Sequence, residues 1–380
     1  MVNYFVFIFV FILLLRIAEI TRKKGFKKLT VERHLEKSNY ETESDIKVTL
    51  NIKNNKWLPI PFLIIKEYFP KDLVYSEGET KEGESNYHIS RLNISRFQKI
   101  KRTYIIKAKK RGVYLIKSME ISVGDIFGLA SEKRSIEDYL EIVVYPHIMD
   151  FNVMKFNDNS LSGDTIVKRW IYKDPLYIKG IREYNVEDRM KDIHWKSSLK
   201  LNKLMVKDYD YTSDREVIVI ANVQCGDPYW LNVEGESIEN TVNISVALAK
   251  NILMEGIPVG MWTNSRIINY KEDTKGGVKP SASSIKHILE LCARIGDIPI
   301  VDFYDYLKSK SREFSKNCSY IIVTTYLNEK SINFILKLKI YGFSIYVIDV
   351  SNYSTVPNIR GIEKLSYGGI TTVMGGITYE

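Results

Sequence analysis

Two hydrophobic rhythms divide this 380-residue sequence, and no single layer of structure can satisfy both. Up to about Pro146 apolar residues alternate with polar ones. "DIKVTLNI" puts Ile46, Val48, Leu50 and Ile52 on one side of an extended chain, and "FLIIKEYF" and "KRTYIIKAKKRGVYLI" continue in the same style. A period of two is that of a strand with one face buried. With Pro70, Gly83 and Gly112 as punctuation, residues 22–146 read as an all-β, Ig-like sandwich. After residue 215 the rhythm changes. "EVIVIANV" is a buried-strand run, and "SIENTVNISVALAKNILMEG" (237–256) reads as a helix with Ser237 as N-cap and Gly256 just past its end. Strand "IPVGMWTN", helices "SSIKHILELCARIG" and "VDFYDYLKSKSREF", strand "SYIIVTTY", helix "EKSINFILKLKIYG" and strand "SIYVIDV" follow. Such alternation predicts a mainly parallel sheet covered on both faces, so residues 215–380 read as an α/β domain. Residues 147–214 connect the two.

The N-terminus adds a third pattern. In "VNYFVFIFVFILLLRIAEI", Val2 to Ile20, only Asn3, Arg16 and Glu19 are strongly polar, close to the ~20 residues a spanning helix needs. Arg22, Lys23, Lys24, Lys27 and Lys28 follow, which the positive-inside rule places in the cytoplasm. No small-residue cleavage site follows the run. The expectation is a retained transmembrane anchor over residues 1–21, a single pass, with the globular part on the cytoplasmic side of the cell membrane.

Charge narrows the partners. The formal net charge is +9, which suits anionic surroundings. Arg96, Lys99, Lys101, Arg102, Lys107, Lys109, Lys110, Arg111 and Lys117 crowd one strand region without an acidic residue among them. Lysines on exposed strands discourage edge pairing, and beside an anchor they also attract anionic lipid. No RNP, KH, zinc-finger or helix-turn-helix pattern is present, so nucleic acid is not the expected partner. Cys225, Cys292 and Cys318 are odd in number and far apart, as for reduced, buried thiols. His34, His88, His147, His194 and His287 lack metal-ligand spacing, and no G-x-S-x-G, Walker or G-x-G-x-x-G motif follows a strand. Catalysis and bound cofactors are therefore not expected.

The densest segment is "REYNVEDRMKDIHWKSS", residues 182–198. Arg182, Glu183, Asp188 and Arg189 offer both charge signs, as for bidentate pairs that pin a loop. Trp195 and Ile193 would bury against the adjoining sheet while Lys191 and Lys196 stay wet. That makes a structural clamp; the alternative is a partner surface, where Trp and Arg are the usual hot spots. A different class of reading is a hydrolytic enzyme with a cryptic site around Asp188, Asp192 and His194, and another is a basic nucleic-acid adaptor.

The order of apolar N-terminus, β-domain, "GDIFGL" (124–129), "VVYP" (143–146) and "GIREYNVEDRMKDIHWKSSLKLNKLMVKDYD" (180–210) resembles the bacterial domain of unknown function 58 family. Arg182, Glu183, Tyr184, Asp188, Arg189, Ile193, Trp195 and Lys196, then Leu204, Val206 and Lys207, carry the resemblance. It implies an α/β von Willebrand factor A-like (Rossmann-like) C-terminal domain, preceded by a β-sandwich and a transmembrane helix. It also implies a non-enzymatic scaffold whose protein partner is a MoxR-type AAA+ ATPase. Such domains hold a metal-ion-dependent adhesion site, D-x-S-x-S, after the first strand. Here Asn222, Gln224 and Gly226 occupy those three positions. Without an anionic ligand a hard cation such as Mg²⁺ is held weakly, so the expectation is a degenerate, metal-free site.

Overall fold

The structure, a computed structural model, describes residues 2–75, 86–125, 127–128, 130–149, 178–185, 188, 190, 193–209, 216–269, 276–351 and 355–367. It divides into two compact units, Met1–His147 with Ile268–Thr274 and Cys292–Arg294, and Ile148–Ile267 with Lys275–Leu291 and Ile295–Glu380.

The first unit begins with helix α1 (Val2–Lys23). Its strands are β1 (Leu29–Leu35), β2 (Asn39–Glu41), β3 (Asp45–Asn54), β4 (Ile60–Phe69), β5 (Leu73–Tyr75), β6 (Asn86–Ile94), β7 (Lys99–Ala108), β8 (Gly112–Gly124) and β9 (Ser131–Tyr145). They form a four-stranded sheet, β1-β3-β7-β5, and a five-stranded sheet, β2-β9-β8-β4-β6. The pairings are antiparallel except that of β2 with β9. The period-two pattern explains the core: Ile46, Val48, Leu50 and Ile52 of β3 are all fully buried, and Leu63, Ile65 and Phe69 of β4 join the same cluster. Not everything inside is apolar. Glu67 shares the buried face of β4 and lies opposite His88 of β6, itself buried.

The second unit contains β10 (Ile178–Glu183), α2 (Trp195–Leu201), β11 (Met205–Tyr209), β12 (Glu216–Ala221), α3 (Gly235–Met254), β13 (Val259–Thr263), β14 (Ser265–Ile267) and β15 (Gly277–Ser281). Then come α4 (Ile285–Arg294), whose last turn clusters with the first unit, β16 (Ile295–Pro299), α5 (Phe303–Ser309), β17 (Cys318–Thr324), α6 (Glu329–Ile340), β18 (Ser344–Asp349) and β19 (Glu363–Ser366). The main sheet runs β15-β13-β12-β17-β18-β19, parallel throughout except for β15. β10 pairs with β11, and β14 with β16, in two small antiparallel sheets. β12 and β17 are buried along almost their whole length, as continuous apolar runs with both faces covered must be. Helix α3 starts at Gly235, ahead of the expected Ser237, because Glu234 takes the N-cap position and its side chain accepts a 2.8 Å bond from the Ser237 hydroxyl. Gly256, at φ +81°, closes it as its sequence position predicts.

The expected fold class is corrected. Among the described residues strand accounts for 43% and helix for 27%, so they are predominantly β and the α/β von Willebrand factor A-like description does not stand. The reason lies in helix length: the 14-residue "VDFYDYLKSKSREF", for example, yields an α-helix only over Phe303–Ser309. The transmembrane anchor is corrected as well. Among the described residues no helix is long and apolar enough to cross a membrane. In α1 the uncharged run ends at Leu15, where Arg16 begins a charged last two turns in which Glu19 pairs with Lys23 at 2.7 Å and Arg16 at 3.7 Å. The single-pass localisation that rested on that anchor is withdrawn with it.

Candidate functional site

The described residues of the 182–209 segment form a clip around the antiparallel pair of β10 and β11. Arg182 grips Asp188 through two bonds, Nη1 to Oδ2 at 2.6 Å and Nη2 to Oδ1 at 2.5 Å, while the backbone N–H of Asn185 donates to Oδ2 at 2.8 Å. The Arg182 bond, then that N–H, hold the Asp188 carboxyl below its ordinary range. Glu183 pairs with Lys203 at 2.9 Å across the strands, and the Tyr184 N–H donates to the Leu204 carbonyl at 2.9 Å. Ile193 is buried and bridges to Val206. Arg189, Lys191 and Asp192 lie outside the described residues.

Helix α2 leaves this clip capped at both ends. The His194 Nδ1 accepts from the Ser197 backbone N–H at 3.2 Å and sits 2.8 Å from the Ser197 hydroxyl, so its unprotonated nitrogen is the N-cap. Asn202, at φ +53°, ends the helix in the left-handed region. Inward, the Ser198 hydroxyl accepts from the Met205 N–H at 2.9 Å and donates to the His194 carbonyl at 3.1 Å. Ser198, rather than the tryptophan, is therefore the side chain that seats α2.

Here the burial expected of Trp195 is corrected. Trp195 is 60% exposed and Leu199, one turn on, is 83% exposed. Leu201, Leu204 and Met190 are exposed too, with Lys196 and Lys200 beside them. The reason is the size of α2: one turn fixed by Ser198 and Ile193 leaves the i, i+4 pair Trp195–Leu199 pointing away from that contact. Of the residues offered for a cryptic hydrolytic site, Asp188 has both oxygens engaged by Arg182, and His194 Nδ1 caps a helix.

A second constellation forms where β12 and β17 end. β12 connects to β13 on one side of it while β17 lies on the other, and the crevice beyond such a switch in strand order is where open sheets bind ligands. Asn222 and Gln224 are fully buried there. Asn222 donates to the Thr324 hydroxyl at 2.8 Å and the Tyr326 carbonyl at 3.1 Å, and its oxygen accepts from Asn264 at 2.8 Å and the Gln224 N–H at 3.1 Å. Gln224 accepts from the Phe303 N–H at 2.8 Å and donates to Asp302 at 3.2 Å. Asp302 caps α5 and also accepts from Asn328 at 2.9 Å. At Gly226 any Cβ would meet the Asn232 amide at 2.7 Å. Both amide oxygens are thus consumed within the protein, and this donor set does not fit a hard cation, which needs carboxylate or hydroxyl oxygens free to coordinate it. Among the described residues no group of three or more His, Cys, Asp or Glu could hold a metal ion.

Above these amides lies an open cleft of about 500 Å³ lined by Asp227, Asp302, Tyr326, Asn328, Glu329 and Lys330. Burial, then the Asp227 charge and its bond to the phenol, push the Tyr326 hydroxyl above its ordinary range. The loop leaving Asp227 exposes Trp230 and Leu231. Sequence reasoning missed Asn264, Asp302 and Asn328. Each follows an apolar strand or opens a helix, but they come from separate segments, and only the sheet order brings them together.

No family model matches the chain. It is similar to the uncharacterized protein YeaD of Bacillus subtilis (strain 168), 18% identical over 239 residues, which is 62% of this chain and 56% of that protein. The chain thus spans little more than half the length of that relative. Among solved structures it is similar to the CARDB domain of the PF1109 protein from Pyrococcus furiosus, in complex with di-metal ions, at TM-score 0.21 and 12% identity over 30% of this chain and 91% of that one. It is also similar to Spo0M, sporulation control protein, from Bacillus subtilis, at TM-score 0.20 and 14% identity over 32% and 51%. A third is a non-cellulosomal cohesin from the archaeon Archaeoglobus fulgidus, at TM-score 0.20 and 14% identity over 31% and 86%. At such TM-scores the likeness assigns no fold, activity or partner.

Proposed function

We propose that the chain is a non-catalytic scaffold that works by protein–protein contact, with α2 as its contact element. One observation carries this reading: Trp195 and Leu199 stand exposed, one turn apart, on a helix that the Ser198 bonds tie to His194 and Met205. Single exposed apolar residues need no explanation, but a Trp and a Leu exposed one turn apart on one face of a capped helix do. Rigid Trp anchors with a charged surround are the usual centres of protein interfaces. The finer identity, a MoxR-type AAA+ ATPase, comes from the family resemblance alone.

Biolayer interferometry of the full chain against the MoxR-type ATPase of the same genome, with and without ATP, tests it. Saturable binding is expected, weakened on the order of 30-fold by Trp195→Ala, the loss of one hot spot of about 2 kcal/mol. No binding in either nucleotide state removes the ATPase as partner. Binding that Trp195→Ala leaves unchanged removes α2 as the contact.

A further inference from the structure

Two exposed features of the second unit have opposite chemistry. On α2, Trp195 and Leu199 make an apolar stripe, and Lys196 and Lys200, also i, i+4 and exposed, run beside it. At the strand-end cleft, three carboxylates, Asp227, Asp302 and Glu329, face a single lysine, Lys330, and the floor and wall include Leu327, Ile332 and Pro357. One feature is a basic, Trp-tipped finger; the other is an acidic, part-apolar hollow.

We propose that the cleft of one copy receives α2 of a second copy, so that the chain associates with itself head to tail. The occupant follows from complementarity of charge and shape on the two surfaces. A cleft of about 500 Å³ falls within the ~300–1,000 Å³ range of ligand-sized pockets and has room for one large aromatic side chain. Its apolar wall suits the indole, while its carboxylates suit the lysines one position on from Trp195 and Leu199. The exposed Trp230 and Leu231, on the loop that leaves Asp227, extend the apolar surface beyond the cleft. Trp195 is 60% exposed within a single copy, so it does not fill its own cleft. Because finger and hollow are different surfaces, each pairing leaves one of each free. The interface is heterologous and builds open assemblies rather than closed dimers. Oppositely charged groups also make association fast and salt-sensitive.

The proposal rests on the reading of α2 as a contact element and adds the identity of what it contacts. Sedimentation velocity on the full chain tests it with two charge reversals, Lys196→Glu/Lys200→Glu on the finger and Asp227→Lys/Glu329→Lys at the cleft. Asp302 is left alone because it caps α5 and holds Gln224 and Asn328. Wild type is expected to grow in mass with concentration and to dissociate in about 0.5 M salt, where screening is short-ranged. Each variant, checked for native far-UV circular dichroism, is expected to associate at least about tenfold more weakly. An equimolar mixture of the two is expected to recover assembly, because each finger then meets a cleft of opposite charge, native finger with native cleft and reversed finger with reversed cleft. Trp195→Ala, which alters no charge, gives a second readout and is expected to abolish assembly. Wild type that stays monomeric at every soluble concentration overturns the proposal, as does a mixture that fails to pair or assembly indifferent to the reversals. A monomer that still binds the ATPase through Trp195 would sink the second-copy assignment and leave the scaffold reading standing.

Discussion

Each unit buries a polar network, and the two are built on opposite principles. Where β12 ends in the second unit the fully buried groups are the neutral amides of Asn222, Gln224 and Asn264, and the oxygen and nitrogen of both Asn222 and Gln224 are hydrogen-bonded. In the sandwich the network is ionisable. Arg33 pairs with Asp138 at 3.0 Å and approaches Glu67 at 3.6 Å, and Tyr104 donates to Glu67 at 2.9 Å, yet among the described residues Arg33 Nη1 and Glu67 Oε2 have no hydrogen-bond partner. A satisfied neutral network fixes geometry at any pH, whereas a buried ionic one with orphan atoms ties stability to protonation. The amides at the end of β12 thus hold their geometry without a titrating group of their own, and the Glu67 network of the sandwich carries a pH response.

The sharpest way to break this contrast is Asn222→Leu. It leaves the partners of a fully buried amide unsatisfied, at an expected cost of about 3 kcal/mol in urea denaturation. That cost should be the same at pH 5 and pH 8; a strong pH dependence would contradict the neutral-network account.

The sandwich should behave otherwise. Burial raises the Glu67 carboxyl from its ordinary 4.5 to about 7, against the lowering effects of the Tyr104 bond and the Arg33 charge. Between those two values the folded state keeps a proton that the unfolded chain has released. Its stabilising contribution is therefore complete below pH 4.5 and is lost as pH rises through 7, about 3 kcal/mol in all. His88, on the strand beside it, works in the other direction. Burial, and then the Arg102 charge, lower its imidazole from 6.5 to about 4, so its contribution is complete above pH 6.5 and is lost as pH falls through 4. The two slopes oppose each other between pH 4.5 and 6.5, and wild-type stability should vary little there. Glu67→Gln should unmask a loss of stability toward acid, and His88→Gln a loss toward neutrality. Identical pH profiles for wild type and both variants would end this account of the core.

Part of this was legible in the residues. Ile65, Glu67 and Phe69 alternate onto one face of β4, so the period that placed the apolar core also placed the buried carboxylate. The strands of the parallel sheet show as solid apolar runs for the same reason: both faces are covered. What the sequence could not say is which way a seven-residue helix turns. Aromatic size argues for burying Trp195, but the contacts of Ser198 and Ile193 decide the orientation of α2, and they depend on β11 lying beside it. The strand-end amides stayed hidden for a related reason, since Asn222, Asn264 and Asn328 meet only through sheet order. A smaller test follows: Ser198→Ala should cost about 1 kcal/mol and loosen α2, read as faster hydrogen exchange at the Met205 amide.

The most direct measurement is oxidative footprinting of the dilute full chain, read at individual tryptophans. Trp57, 68% exposed, and Trp262, 5% exposed, provide the internal standards. The account predicts that Trp195 is modified about as fast as Trp57 and becomes protected when a partner or a second copy covers α2. Trp195 as resistant as Trp262 in the dilute chain would mean a buried clamp, and would contradict the contact surface on which the account depends.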